Sequence, residues 1–519
     1  MKSGGILIVK GGRVYDHDGD RDDPPVTDVL IVDGRIAAIR PGIADAAAHG
    51  GPIAEAGNRR VEEVIDATDK LVMPGFVNAH YHSHDVLLKG RFETIPLELW
   101  FLNALPPGYG KRSRAEIRAR TLLGAVECLR GGITTVQDFA TVYPFSEEYL
   151  DTILQAYEDI GIRCIFALQI ADIPALESVP FWKELVPAEY HSALLGAAAP
   201  QKGVDPVKLM REAVRAHRNR NSRISWALGP SSPERCSEAL LRSIGELAGS
   251  EDLPVYTHLY ESKAMTLIGR QKFVRDGGSL VNYLKRVGLL SPRMSLAHSV
   301  WMSRAEIDTV AEAGANIVLN PLGNLKTRSG VPPIRSYMER GVNTALGCDN
   351  CSCGDAQNMF ESMRLFTVLA AVSNPEPGPP TAADAIRSAT IAGARTAGLE
   401  SRLGALKAGM EGDLSILDLS DPSFVPLNSA ARQFVFTEAG RSVETVVVGG
   451  RVVVRDRKVT TIDEQGLREE IKGLMRILSK DIDAVMARNE LVRPHIMEAW
   501  RRTWAADIGL NRYVGDGND

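Results

Sequence analysis

The chain has 519 residues, with 60 Lys+Arg against 65 Asp+Glu and a formal net charge of −5. That length exceeds one small domain and allows two to four modules, or one large barrel with additions. Hydrophobic residues at 44% and charged residues at 24% exclude wholesale disorder, and the near balance of charge gives no reason to expect a nucleic acid or an anionic membrane as partner.

The first ten residues, Met1 to Lys10, hold an apolar run too short for a signal-peptide core, and Lys10 ends it. No stretch approaches the ~20 apolar residues of a membrane helix. Six cysteines in so long a chain do not make a disulfide scaffold. A reduced, cytoplasmic protein is expected. Residues 6–16 (ILIVKGGRVYD) and 28–39 (DVLIVDGRIAAI) read as strands, with Gly11-Gly12 and Asp33-Gly34 as hairpin turns. The same texture returns at 444–459, with Gly449-Gly450 as the turn, and 412–420 adds another strand. A small β-sandwich built from both chain ends is therefore expected, over 1–68 and 406–462.

The long insertion between them, 69–405, alternates. Strand candidates lie at 70–78, 132–140, 161–170, 223–230, 254–259, 294–300, 315–322 and 343–349, separated by helix-like stretches such as 114–130, 205–220, 236–249, 304–313 and 355–371. Eight strands alternating with helices are the pattern of an α/β protein with a (β/α)8 TIM-like barrel. A doubly wound sheet alternates similarly; the count of eight and the placement of polar residues favour the barrel. The tail, 463–519, is helical, with Leu467, Ile471, Leu474, Leu478, Ile482 and Val485 on one face. Pro494 suits the first turn of a second helix carrying Trp500 and Trp504. That apolar face packs on the chain's own body or forms a subunit contact. Short Ala/Gly patches at 45–51 and 193–199 are the only low-complexity tracts.

The chemistry concentrates at strand ends. His80 and His82 stand two apart at the end of the first barrel strand, so both imidazoles point to one side, half of a Zn²⁺- or Fe²⁺-type site. Hydrogen-bonded loop histidines are the plainer alternative. His84 shares their parity but falls in the loop, as a pocket residue. His258 ends the fifth strand as a third candidate ligand, and Glu261 follows three residues later, placed to act as an acid/base. His298 ends the sixth strand and Asp349 the eighth. A strand-end Asp often caps the next helix; four strand ends delivering such residues to one rim are harder to explain by packing.

The segments PGFVNAHYH, HLYE, LAHS and GCD, in this order, resemble the amidohydrolase superfamily, and within it the aminohydrolase branch of adenosylhomocysteine/methylthioadenosine deaminases, guanine deaminases and triazine hydrolases. GITTVQD, NPLGNLKTRSG, LGALKAGMEGDLSILD and the Pro96-Leu97-Glu98-Leu99-Trp100 loop are further matching pieces, and the resemblance spans roughly residues 5–460. It implies that His80, His82, His258 and Asp349 bind one divalent metal per chain, with Zn²⁺ the first expectation and Fe²⁺ the second. It implies catalytic roles for Glu261, His298 and Asp349: Asp349 orients the attacking water and takes its proton, Glu261 protonates a ring nitrogen, and His298 donates to the attacking oxygen. Two-metal members carry a bridging Lys or Glu at the fourth strand; Trp226 to Pro233 holds neither, so a single metal is expected. A homodimer or homotetramer is implied as well.

Departures bear on the substrate. Related deaminases end the fourth strand in Pro-His, whereas Pro230 here is followed by Ser231 and Ser232, which counts against adenosylhomocysteine. His84, Arg91, Glu93, Trp100 and Tyr260 are candidate pocket residues, each also readable as an ordinary loop or core residue. Cys348, Cys351 and Cys353 read as buried or pocket-wall thiols, because Cys128, Cys164 and Cys236 are too scattered to complete a Cys-rich metal site. The expected function is hydrolysis of a C–N bond in a small heterocyclic substrate, with release of ammonia. Ring-opening amide hydrolysis or dechlorination on the same scaffold is the alternative. A catalytically silent scaffold is a third, opposed by the complete ligand set.

Overall fold

The computed structural model describes residues 5–49, 53–57, 59–197 and 205–513. Residues 1–4 of the N-terminal segment, the ends of both Ala/Gly patches and the last residues of the tail lie outside the described residues. The chain opens with β1 (Ile6–Val14), β2 (Val26–Val32), β3 (Arg35–Arg40), β4 (Glu63–Asp66) and β5 (Lys70–Pro74). Asp33-Gly34 forms the tight turn between β2 and β3, with both residues at positive φ. Gly11-Gly12 does not form a turn. β1 runs through it as one strand, and its register against β2 jumps between Val9 and Gly12. Gly11, at φ +66°, supplies a β-bulge, the other use a strand makes of a glycine.

The barrel follows: β6 (Phe76–His82), β7 (Ile133–Ala140), β8 (Arg163–Ile170), β9 (Ile224–Pro230), β10 (Val255–Leu259), β11 (Met294–His298) and β12 (Asn316–Leu319). An eighth strand comes in two pieces, β13 (Thr344–Leu346) and β14 (Asp349–Asn350). Neighbours pair in parallel around the ring; β13 pairs with β12 and β14 with β6, which closes it. Every residue of β7 is buried, as expected of a parallel strand with helices outside and packed side chains inside. The expected strand at 70–78 divides: Lys70–Pro74 pairs with the end-built sheet, and the barrel begins at Phe76. Gly75 joins the two because a Cβ there would lie 2.2 Å from Thr134 Oγ1.

After the barrel, β15 (Leu414–Asp418), β16 (Val443–Val448), β17 (Arg451–Arg455) and β18 (Lys458–Val459) return to the first sheet, in the order β18-β17-β16-β15-β5-β1-β2-β3, with β4 also on β1. This sheet folds over its own core of Leu7, Val9, Val29, Ile31, Ile416 and Val447. Its two hairpin tips meet, Gly34 against Gly449 and Gly450. The tail forms helices Glu464–Glu490 and Arg493–Ala505. They pack on the chain's own body: Leu478 and Ile482 with Trp100, and Ile496 and Ala499 with Leu99 and Trp182. Among the described residues no helix is long and apolar enough to cross a membrane.

Candidate metal centre and active-site cavity

Four strand ends deliver one cluster. His80 and His82 come from β6, His258 from β10, His298 from β11 and Asp349 from β14. Simple alternation along β6 would not aim the first two inward. Val77 and Ala79 pack with interior residues, and Phe76 and Tyr81 with the outer core. Between Asn78 and Tyr81 the strand gains a residue on β7, since Asn78 pairs with Val136 and Tyr81 with Asp138. This bulge turns His80 and His82 to the interior, a common device beside active sites. His298 and Asp349 have φ of +69° and +65°. Such left-handed backbone costs a non-glycine residue on the order of 1–3 kcal/mol.

The Nε2 atoms of His80 and His82 are 3.1 Å apart, and those of His82 and His258 are 3.5 Å apart. Asp349 Oδ1 lies 3.4 Å from both His80 Nε2 and His82 Nε2. Two tautomers are fixed from behind. His82 Nδ1 donates to the Phe139 carbonyl at 2.5 Å, and His258 Nδ1 to the Ser231 carbonyl at 2.6 Å. In a neutral ring so held, Nε2 carries a lone pair, so these atoms face one another as acceptors. Burial drives His80 down to about 3 and His258 well below its usual value, so both are neutral, whereas His82, against the same burial, is lifted above its usual value by Asp349, Asp85 and the Phe139 carbonyl. Burial opposes ionisation of Asp349, yet the imidazoles of His298, His80 and His82 hold it well below the usual carboxylate range. Convergent lone pairs and a buried carboxylate repel unless positive charge sits among them. Two overlapping triads, His80–His82–His258 and His80–His298–Asp349, each bring their ligand atoms within 4.8 Å of one another, and imidazoles with a carboxylate are a donor set that fits a divalent cation.

Beside the cluster, Glu261 Oε2 lies 3.6 Å from His298 Nε2. Burial and the nearby carboxylates of Asp349, Glu98 and Glu234 push the Glu261 carboxyl well up. His298 Nε2 is buried and has no hydrogen-bond partner, while its Nδ1 meets the Asn324 side chain at 2.8 Å.

Residues 71–453 match the amidohydrolase family. The chain belongs to that family. It is 30% identical to the 5'-deoxyadenosine deaminase of Methanothermobacter thermautotrophicus over 89% of this chain and 96% of that one. It is 30% identical to the 5-methylthioadenosine/S-adenosylhomocysteine deaminase of Pyrococcus furiosus over 89% of this chain and 99% of that one. A crystal structure of an adenosine deaminase from Xanthomonas campestris with bound zinc superposes with a TM-score of 0.77 at 26% identity, covering 91% of this chain and 98% of that one. This amidohydrolase is a metal-dependent hydrolase acting on C–N bonds.

A cavity lies over the cluster, and His82, His258, Glu261, His298 and Asp349 all line it. His84 and Trp100 line it too, and Trp100 Nε1 donates to Ser352 Oγ at 2.9 Å. Three expected pocket residues, Arg91, Tyr260 and Glu93, lie elsewhere. Arg91 stands at the surface, 3.6 Å from Asp483 on the long tail helix, because the loop turns its side chain outward. Tyr260 is buried behind the cavity, where its OH donates to Glu306 at 2.6 Å and accepts from Leu280 N–H at 2.7 Å. Its φ of +47° directs the ring into the barrel wall. Glu93 is exposed. Cys348, Cys351 and Cys353 are buried free thiols outside the metal cluster; Cys353 Sγ donates to Asp349 Oδ2 at 3.3 Å.

Sequence reading placed Glu98 in a loop that resembles the substrate-facing loop of the family, but missed Glu234 and Arg235 as cavity walls. Glu98 accepts from Ser262 Oγ at 2.9 Å, and Glu234 Oε1 from Ser232 Oγ at 2.6 Å. Glu234 Oε2 and Arg235 Nε are buried without partners. A signal existed. Adjacent opposite charges directly after a barrel strand end, at 234–235, stand where barrel enzymes place functional residues.

Proposed function

We propose that this amidohydrolase deaminates the ring of an adenosine derivative or a related nitrogen heterocycle, with His80, His82, His258 and Asp349 holding one divalent metal, taken as Zn²⁺. The observation that carries the reading is the set of Nε2 lone pairs and one carboxylate converging beside a carboxyl raised in pKa. The relatives, which act on 5'-deoxyadenosine, methylthioadenosine and S-adenosylhomocysteine, support the substrate class.

Bound in this cluster, a divalent cation supplies Lewis acidity that makes water a usable nucleophile near neutral pH. The remaining steps belong to the chain. Asp349, kept ionised by its imidazole neighbours, accepts a proton from the attacking water at Oδ2, the oxygen turned away from His80 and His82. Glu261, with its raised pKa, holds a proton and passes it to the ring nitrogen next to the attacked carbon, so negative charge does not accumulate there. His298 presents Nε2 to the developing oxyanion. For that atom to donate from a neutral ring, Nδ1 must accept. Asn320 Nδ2 at 3.4 Å, or the Asn324 amide at 2.8 Å with its nitrogen turned to the ring, would supply the proton. Leu97, Trp100, Phe101, Leu105 and Met265 give the cavity apolar walls that exclude bulk water.

The test is an ammonia-release screen of zinc-loaded protein against 5'-deoxyadenosine, methylthioadenosine, free purines, pterins, pyrimidines and triazines, with products followed by NMR. Ammonia with an intact, oxygenated ring is expected. Ring-opened or dehalogenated products, or no ammonia from any heterocycle, would overturn the reading.

A further inference from the structure

At and beyond the end of the helix Arg493–Ala505, the tail ties together segments that follow three successive barrel strands. After β10, Lys263 Nζ donates to the Trp504 carbonyl at 2.8 Å, two residues beyond Glu261. After β11, the Trp301 ring meets Trp504 edge to face at 5.6 Å. Arg512 reaches the same segment, donating from Nε to the Val300 carbonyl at 2.9 Å and from Nη2 to the Met302 carbonyl. After β12, Val331 N–H donates to the Arg512 carbonyl at 2.7 Å, and Tyr513 OH to the Arg328 carbonyl at 2.6 Å. Gly330 permits this close approach, since a Cβ there would stand 2.8 Å from the Arg512 carbonyl oxygen.

The segment that Arg512 grips is strained and buried. His298 and Ser299 stand in succession at φ +69° and +49°. Such backbone persists only where its surroundings over-determine it. Val300 and Met302 are wholly buried, so their carbonyls need donors from within the protein. Among the described residues Arg512 forms no ion pair, and its side-chain hydrogen bonds go to these two carbonyls. A half-buried guanidinium used in this way fixes the path of the chain rather than balancing a charge. The main chain of Arg512 holds the other flank of the same imidazole. Val331 follows Ser329, whose N–H donates to the Asn324 carbonyl at 2.8 Å and whose carbonyl accepts from Trp301 Nε1 at 2.6 Å. Asn324 is the side chain that meets His298 Nδ1 at 2.8 Å. Arg512 thus braces both the residues after His298 and the loop that carries its hydrogen-bond partner.

We propose that Arg512, from the C-terminal tail, is a positioning residue for His298, holding that imidazole in place for the developing oxyanion. The proposal rests on the reading in which His298 is the oxyanion donor. Without the guanidinium, two buried carbonyls lose their donor and the left-handed pair at 298–299 loses a restraint. A donor displaced by about 1 Å loses much of its effect on the reaction. Because that hydrogen bond strengthens only as negative charge develops, the loss falls on kcat rather than on KM.

The experiment has two arms. In the first, zinc-loaded wild type, Arg512→Leu and Arg512→Lys are compared in ammonia release from 5'-deoxyadenosine. Arg512→Leu should lower kcat at least ~10-fold with KM and zinc content nearly unchanged, and Arg512→Lys should recover part of the loss. In a His298→Ala background the Leu substitution should cost less than ~3-fold, because the group it acts through is gone. An unchanged kcat, a loss that follows zinc content, or an equal loss in both backgrounds would overturn the proposal. The second arm follows amide exchange by mass spectrometry and needs no turnover. Residues 299–302 should exchange at least ~10-fold faster in Arg512→Leu than in wild type, while β6 exchanges as before. Unchanged exchange at 299–302 would overturn the proposal. If wild type releases no ammonia, the deaminase reading fails while the exchange still decides whether Arg512 holds this segment.

Discussion

The cavity over the metal cluster and a second cavity that shares His84 with it are built on different principles. In the first, strand ends fix the side chains of the metal cluster, and its charges answer one another: imidazoles hold Asp349 ionised, and burial with the nearby carboxylates keeps Glu261 high in pKa. In the second, helix and loop residues surround apolar space with one cation, Arg120, whose side chain makes no hydrogen bond or ion pair among the described residues. Parallel strands place atoms to a few tenths of an ångström, as bond-making chemistry needs. Helix faces and loops set shape and charge.

The sharpest way to break this comparison is at the metal cluster. His82→Ala removes the imidazole whose Nε2 lies within 3.5 Å of both His80 and His258. Zinc content by elemental analysis should fall from near one per chain toward zero, and ammonia release should vanish with it. Zinc retained at one per chain would mean that the centre lies elsewhere. Next in size is Glu261→Gln, which keeps shape but cannot pass a proton. Turnover should fall by roughly 10²–10⁴-fold with zinc content unchanged. Loss of zinc in that variant would make Glu261 a ligand and void its proton role.

A smaller effect is expected at Gly323. A Cβ there would stand 2.8 Å from Asp349 Oδ2 and 3.5 Å from Asp349 Cβ. Both residues are buried, so the carboxylate must move. Gly323→Ala should lower zinc affinity and kcat/KM by about 10–100-fold, with little change in melting temperature. Unaltered kinetics would show that the cluster tolerates displacement and weaken the contrast with the second cavity.

The metal cluster was legible because its information is local. His80 and His82 share a side by strand geometry, and His258 and Glu261 sit in one short segment. What the pattern could not supply was direction. Plain alternation in β6 would face both histidines outward, and the bulge that corrects this depends on pairing with a strand more than fifty residues away. The same limit explains Gly11-Gly12, where a bulge and a turn ask for the same glycines, and the strand at 70–78, whose halves join different sheets. Arg91 and Tyr260 were judged by nearness in sequence to the site; side-chain direction separates them from it. Arg120 was invisible for the opposite reason. In a helix that also carries Arg114, Arg118 and Arg130, one more arginine reads as solvated surface, and only tertiary packing buries it.

The smallest expected effect concerns Glu234, the wall residue of the first cavity that most resembles Arg120. Its Oε2 is buried without a partner, and burial raises its carboxyl above the usual 4.5. The unfolded chain therefore ionises this group at lower pH than the folded chain does. Between the two values the unfolded state binds fewer protons, so this group's contribution lowers stability as pH rises, by up to ~1.4 kcal/mol per pH unit. Below the unfolded value the contribution disappears. Glu234→Gln removes it, so the variant should gain on wild type as pH rises through that window. Urea midpoints of zinc-loaded protein between about pH 5 and 8 would read the difference. Glu98 and Glu261, raised by burial in the same cavity, leave part of the slope in the variant. Identical pH profiles for variant and wild type would mean that Glu234 ionises as readily in the folded chain as in the unfolded one. The first cavity would then hold a solvated carboxylate on that wall.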